Sequence, residues 1–410
     1  MVVRLQFVPG NEPGGLLDLP WSVPLAAWDD PRLVDMVHGT SRHVVRFVAD
    51  ASRVFALKET TEPEARREYG MLRRLTAEGL PAVQPTGVVT GRQDASGGPL
   101  ASVLISRYLD FSLPYRYLLG HERRPDLPRL LIDAGVVLLA RLHLEGFFWG
   151  DCSLSNLLFR RDAGALMAYL VDAETAERQD ELPDGMRAND IEIARENVAG
   201  GLLDLQASGD LAPDVDVFEL ANLVEDRYRA LWDELTGAEE LSLDDRHLID
   251  RRIRRLNELG FDVGELLVEH DAEGSRLRVQ PALVEEGHHA RELRRLTGLE
   301  VQENQARRLL NDIAAYRASI SGEDSEVPQA VAAARWLAEV YEPLIARVPA
   351  ELRGRLEPAE LFHELLEHRY YMSERAGAEV ATEEALRSYV ASVLAHRRDE
   401  QTVLREAQVT

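Results

Sequence analysis

The sequence predicts an α+β protein in which a strand-rich part precedes a much longer helical one. Short β-branched and aromatic runs, parted by turn residues, occupy 33–59 and 83–109, the texture of paired strands. Beyond residue 127 the apolar residues recur mostly at helical spacing, as in LLIDAGVVLLARLHLEG (130–146) and DVFELANLVEDRYRALWDEL (216–235). With 410 residues and 45% hydrophobic content, the chain can build the cores of two or three domains.

Taken in order, residues 1–32 hold Pro9, Pro13, Pro20, Pro24 and Pro31 with three glycines, a density that reads as an irregular leading segment. Residues 33–59 read as three strands, turning at Gly39-Thr40-Ser41 and at Ala49 to Ser52. Thr61-Glu62-Pro63-Glu64 opens a helix, with proline tolerated in its first turn. In that helix Glu68 falls about 40° from Leu72 and about 20° from Leu75, so a carboxylate sits inside the apolar stripe and needs a partner. Two strands around the turn 91–98 follow, and LISRYLD (104–110) leads out of them. Short strands at NLLF (156–159) and AYLVD (168–172) flank a turn at 161–164. A boundary falls near 237–240, after which one hairpin, 265–283, interrupts the helices. The expected divisions are 1–32, a strand-rich 33–110, a mixed 111–236 and a mostly helical 237–410.

Composition excludes several classes. The formal net charge is −24, which argues against nucleic acid or an anionic membrane held by bulk charge. AGVVLLA (134–140) stops at Arg141, far short of a membrane span, and the first fifteen residues contain no apolar core of a secretory signal. The single cysteine, Cys152, can close no internal disulfide. A cytoplasmic protein without a transmembrane segment is expected. One count is more pointed: of 47 basic residues only Lys58 is a lysine, so this position asks what a compact ammonium does that a planar guanidinium does not.

Three elements answer together: the strand ending in Lys58, GDCSLSN (150–156) and LVDAE (170–174). Phosphoryl transfer requires a cation on the phosphates, a carboxylate at the acceptor and oxygen ligands for Mg²⁺. Asp151 and Asn156 lie in a segment without helical period, and a short hairpin would return Asp172 beside them. The order and context of these residues resemble the protein-kinase-like fold, most closely the lipopolysaccharide kinase (Kdo/WaaP) family, with similarity also to aminoglycoside-phosphotransferase-like enzymes, over about 33–235. FALKE resembles the strand-three lysine motif at Lys58, EYGMLRRL places Glu68 as its ion-pair partner, LHLEGFFWGDCSLSNLLF resembles the catalytic loop at Asp151 and Asn156, and LVDAE resembles the metal-binding DFG element at Asp172.

The resemblance implies a two-lobed protein-kinase-like fold followed by a mostly α-helical C-terminal domain. Its N-lobe would be 33–110 and its C-lobe 111–236. It also implies an ATP- and Mg²⁺-dependent phosphotransferase acting on a hydroxyl of a sugar or another small molecule. Lys58, Glu68 and Gly39 would serve the nucleotide, Asn156 and Asp172 the metal, and Asp151 the acceptor hydroxyl. Departures support a competing expectation, a nucleotide-binding pseudokinase that acts as a regulatory module. HGTSRH (38–43) offers one glycine where the fold has a glycine-rich loop, Trp149 stands where small-molecule kinases carry histidine, Ser153 where serine/threonine kinases carry lysine, and Glu174 at the DFG glycine. Transfer of AMP in place of phosphate is a third expectation. After about 240 the chain resembles a helical domain family of uncharacterised function, most recognisably at 357–377, and this half is expected to meet any protein partner.

Other chemical-looking residues read blandly. His363, Glu364 and His368 miss the zincin spacing by one residue, which puts the imidazoles about 140° apart on a helix. His288-His289 and RRIRR (251–255) read as solvated surface, Tyr370-Tyr371 as packing, and Cys152 as a packing residue beside an acid that would hold its thiol protonated.

Overall fold

The computed structural model describes residues 3–8, 14–36, 42–50, 53–121, 124–236, 239–241, 256, 263–270, 277–283, 287–321, 327–397 and 400, the stretches 239–241, 263–270 and 277–283 by backbone alone. Gly39 and RRIRR (251–255) lie outside the described residues. Contacts divide the chain into two compact units, one of 1–160, 167–230 and 403–410, the other of 161–166 and 231–402.

The first unit begins with a six-stranded antiparallel sheet. Its strands are β1 (Arg4–Phe7), β2 (Leu33–Val34), β3 (Val44–Asp50), β4 (Arg53–Thr60), β5 (Pro85–Thr90) and β6 (Ser102–Arg107), in the order β1-β5-β6-β4-β3-β2. The three strands expected in 33–59 are β2, β3 and β4. Helix α1 (Glu62–Ala77) packs on β5 and β6. Its Thr61 hydroxyl accepts from the Glu64 amide while the Glu64 carboxylate accepts from the Thr61 amide, so the helix starts where the Thr-Glu-Pro-Glu signal put it.

The leading segment corrects the sequence reading. Arg4–Phe7 pairs with Gly87–Thr90 as an edge strand, and the following residues, read as irregular, fold down on the sheet in two 3₁₀ turns, Gly14–Asp18 and Leu25–Ala27. Leu16, Trp21, Leu25 and Trp28 are buried against Leu57, Val103 and Ile105. The fully buried Arg92 fastens them there: it donates to the carbonyls of Trp21, Val23 and Ala101 and pairs with Glu59 at 2.7 Å. A charge with four acceptors costs little of the desolvation that an unpaired one would.

The rest of the unit comprises β7 (Leu113–Pro114), α2 (Tyr115–His121), α3 (Leu127–Leu144), β8 (Phe147–Phe148), β9 (Leu157–Asp162), β10 (Ala165–Leu170), β11 (Glu177–Arg178), α4 (Asp184–Ser208) and α5 (Val217–Thr236), with 161–166 of the β9–β10 hairpin and 231–236 of α5 belonging to the second unit. Buried apolar residues of α3 and α4, among them Leu139 and Leu202, form its core. Strand-rich then helical, this is the expected two-lobed pattern.

The second unit carries a three-stranded antiparallel sheet of β12 (Glu239–Leu241), β13 (Val263–His270) and β14 (Leu277–Leu283), in the order β12-β14-β13. The expected hairpin is β13 and β14. Among the described residues six α-helices follow: α6 (His288–Thr297), α7 (Glu303–Ile320), α8 (Gln329–Trp336), α9 (Glu342–Arg347), α10 (Pro358–Ala376) and α11 (Thr382–Ser392). They enclose a core around Trp336, Tyr341, Phe362 and Tyr389. In the same unit the buried Asp162 caps α7, accepting from the Asn304 and Gln305 amides at 3.2 and 2.8 Å. Glu360 of α10 accepts from Ala163 N, Gly164 N and Gln305 Nε2 at 2.7, 3.1 and 3.0 Å. His363 faces Arg308 and His368 faces Ser388, so the two imidazoles share no metal site. Among the described residues no helix is long and apolar enough to cross a membrane.

Candidate active site

Alternation along β4 buries Leu57 under the leading segment and turns Lys58 to the opposite face. There its cross-strand neighbours are Val45 on β3 and Leu104 on β6. The Lys58 ammonium donates to Glu68 of α1 at 3.1 Å, the pairing that the resemblance implies, and it gives the helix carboxylate the partner its position requires. It also donates to Asp172 at 2.7 Å and to Glu174 at 3.3 Å. Glu68 is 1% exposed; burial pushes its carboxyl above the usual range, the Asp172 charge adds to this, and Lys58 opposes both.

The loop carrying Asp151 is set by its neighbours. Gly150 adopts φ +79°, where a Cβ would come within 3.1 Å of the Phe148 ring and 3.2 Å of the Thr175 carbonyl, so glycine is required before Asp151. Asp151 is exposed, and Asn156 Nδ2 donates to its Oδ2 at 3.0 Å and to its carbonyl at 3.1 Å. Val171 N donates to Asn156 O at 3.0 Å, which closes the base of the β9–β10 hairpin and puts Asp172 beside the loop, as its spacing from Asp151 suggests.

Lys58, Glu68, Asp151, Asn156 and Asp172 all line one cavity of about 300 Å³. Its apolar walls include Val45, Ala56, Leu104, Leu158 and Val171. Glu174, two residues after Asp172, is 9% exposed, pairs with Arg42 and lies 3.5 Å from His43 Nε2. Burial holds the His43 imidazole below its usual range, helped by the Lys58 and Arg42 charges.

Sequence reasoning missed the supports behind the loop. Asp190 of α4, fully buried, accepts from Trp149 N at 2.7 Å and Gly150 N at 2.8 Å and contacts His143 Nε2 at 3.1 Å. His143 Nδ1 in turn meets the Tyr228 hydroxyl at 2.6 Å. Asn197 donates to Cys152 O at 3.0 Å, and Thr175 Oγ1 to Trp149 O at 2.8 Å. Asp190 and Asn197 lie seven residues apart on one face of α4 with Ala194 between them, a polar interruption of a buried stripe that the sequence does contain. Trp149 is itself buried, and the histidine near this loop comes from α3. Cys152 is buried as well, and burial followed by the Asp190 charge pushes its thiol far above the usual range, which agrees with a packing role.

One similar solved structure, described as "WaaP in complex with acyl carrier protein", is 17% identical, with a TM-score of 0.36 over 63% of this chain and 99% of that one. No curated protein matches the chain. Residues 230–394 match a family model described as a domain of unknown function, DUF4032. Residues 40–197 match the model of the lipopolysaccharide kinase (Kdo/WaaP) family, which supports a kinase-like phosphotransferase. Two family models thus match successive parts of the chain, and together they support a kinase-like fold followed by a separate C-terminal domain.

Proposed function

We propose that the protein is an ATP- and Mg²⁺-dependent phosphotransferase that acts on a hydroxyl of a sugar or another small molecule. The observation that carries this reading is the single cleft in which Lys58, braced by Glu68, faces Asp151, Asn156 and Asp172. The donors suit a hard cation: carboxylate oxygens of Glu68, Asp172 and Glu174 lie within 4.8 Å of one another, and the Asn156 amide lines the same cavity. Asn156 and Asp172 would hold Mg²⁺, which when bound supplies charge stabilisation at the transferring phosphate.

The chain's own residues do the rest. Lys58 binds the α/β-phosphates, and Glu68 fixes the direction of its ammonium. Asp151, whose carboxylate is oriented by Asn156, accepts the proton of the acceptor hydroxyl as its oxygen bonds to the γ-phosphorus and the bond to ADP breaks. Asp190 keeps the loop in place through the Trp149 and Gly150 amides.

ADP release by the full-length protein with Mg·ATP and candidate sugars tests this. Asp151→Ala should lower turnover by a factor of about 10²–10⁴ while leaving ATP affinity in place. A folded protein with no affinity for millimolar Mg·ATP would refute the reading, and the product's mass distinguishes phosphate from AMP. One observation favours the pseudokinase alternative: Glu174 already contacts the lysine meant for phosphates. Nucleotide binding without turnover in the wild type would select it.

A further inference from the structure

The contacts of Glu174 point to how the site is regulated. Its carboxylate touches two of the cations that line the cleft: Lys58 Nζ at 3.3 Å and the Arg42 guanidinium. Arg42 lies just ahead of β3, the strand that opens the cleft, and its side chain is 71% exposed, free to reach a ligand once released. The backbone beneath Glu174 is fixed, because Glu174 N donates to Asp172 Oδ1 at 3.1 Å and Thr175 Oγ1 to Trp149 O at 2.8 Å. Only the side chain is placed to swing.

Charge shows what this contact does. Lys58 and Arg42 face three carboxylates, Glu68, Asp172 and Glu174. Two of those have work in the proposed reaction, one bracing Lys58 and one ligating metal. Glu174 is assigned neither of these tasks, although its carboxylate lies in the same oxygen cluster, and it takes up hydrogen-bonding capacity of both Lys58 and Arg42. An anion approaching Lys58 must displace a carboxylate covalently tethered beside it, and it meets that carboxylate's charge in a half-buried site.

Resting on the phosphotransferase reading, we propose that Glu174 is an autoinhibitory latch that neutralises Lys58 and Arg42 and must be displaced before the triphosphate of a nucleotide can bind. The latch weakens binding of metal-free polyphosphates most, since their full negative charge meets Glu174 directly. It makes the cleft selective for charge-neutralised phosphate ligands.

The test is calorimetric titration of the full-length wild type, Glu174→Gln and Glu174→Ala with two probes, ATP and inorganic tripolyphosphate. Each is run in EDTA and with Mg²⁺, with circular dichroism as the check on folding. Both variants should bind metal-free ATP and tripolyphosphate at least tenfold more tightly than the wild type and gain in the same direction, but by a smaller factor, toward the Mg²⁺ complexes. If neither variant gains affinity for either metal-free probe, the latch is refuted. If the variants instead lose affinity for Mg·ATP with the metal-free affinities unchanged, Glu174 is a metal ligand and the latch is equally refuted. A gain for tripolyphosphate without binding of ATP by any form would uphold the latch and overturn the nucleotide reading.

Discussion

Two acidic clusters, one in each unit and each with a buried member, are built on opposite principles. In the kinase-like unit Glu68, Asp172 and Glu174 converge on one ammonium beside a cavity of about 300 Å³. In the helical unit Asp162 and Glu360 converge on nothing charged; between them they accept from four backbone amides and the Gln305 side chain. Amide hydrogen bonds are local, directional and immobile, so the second cluster locks a turn and a helix terminus. An ammonium on a flexible stem with three competing acceptors can be shared, moved or handed to a phosphate. Burial alone therefore does not mark a functional carboxylate; the identity of its donors does.

The largest expected effect breaks the structural cluster. Glu360→Ala removes the acceptor of three donors, two of them backbone amides of a tight turn, and should cost about 3 kcal/mol in chemical denaturation, since each buried donor left unmade costs about 1–3 kcal/mol. Glu68→Gln, equally buried, should cost under about 1 kcal/mol, because Lys58 keeps Asp172 and Glu174 and the buried charge is removed. Equal losses in the two variants would erase the distinction between the clusters.

A smaller effect is read from pH. Burial pushes the Asp162 carboxyl up to about 7 from an ordinary 3.8; the Gln305 and Asn304 amides oppose the rise and the Glu360 charge adds to it. A carboxyl raised in the folded state contributes stability that is fully present below the unfolded value and is lost as pH rises through the folded one. Between about pH 4 and 7 the wild type should accordingly gain less stability with rising pH, or lose more, than Asp162→Asn. The slope of unfolding free energy against pH measures this independently of the constant cost of the substitution. Parallel slopes would show that the helix amides keep Asp162 ionised throughout.

The same contrast explains what was legible in the sequence. Lys58 stood out because the rest of the basic residues are arginine, and Glu68 because a carboxylate interrupted an apolar helix face; each signal is local. Asp172 followed from a strand and a spacing. The supports did not show, because Asp190 meets Trp149 and Gly150 across about forty residues and Glu360 meets Ala163 across 197, and a residue's chain neighbours carry no trace of such partners. The leading segment failed for another reason: proline and glycine forbid long elements, but they allow a four-residue edge strand and 3₁₀ turns, and what secures these is Arg92, 71 residues from the Trp21 carbonyl it binds. Glu174 was visible as a departure from the kinase pattern, but its pairing with Arg42 was not.

The smallest expected change in stability comes from the substitution with the largest expected change in ligand response. Lys58→Arg keeps a cation among three carboxylates, which a guanidinium can satisfy at least as well, and the side chain is only 13% exposed between Val45 and Leu104. The unliganded variant should therefore melt near the wild type, within about 1 kcal/mol once the fit of a longer side chain is included. Its planar fork would pair two-pronged with Asp172 or Glu174 and could not present a single ammonium to phosphate oxygens. Stabilisation by a ligand follows RT ln(1 + [L]/Kd), so Mg·ATP at a hundred times the wild-type Kd should add about 2.7 kcal/mol to the wild type and little to the variant. Thermal melts with and without Mg·ATP read both quantities in one experiment. Full nucleotide-induced stabilisation in Lys58→Arg would mean that the chain's only lysine is an accident of composition and that the phosphates bind elsewhere.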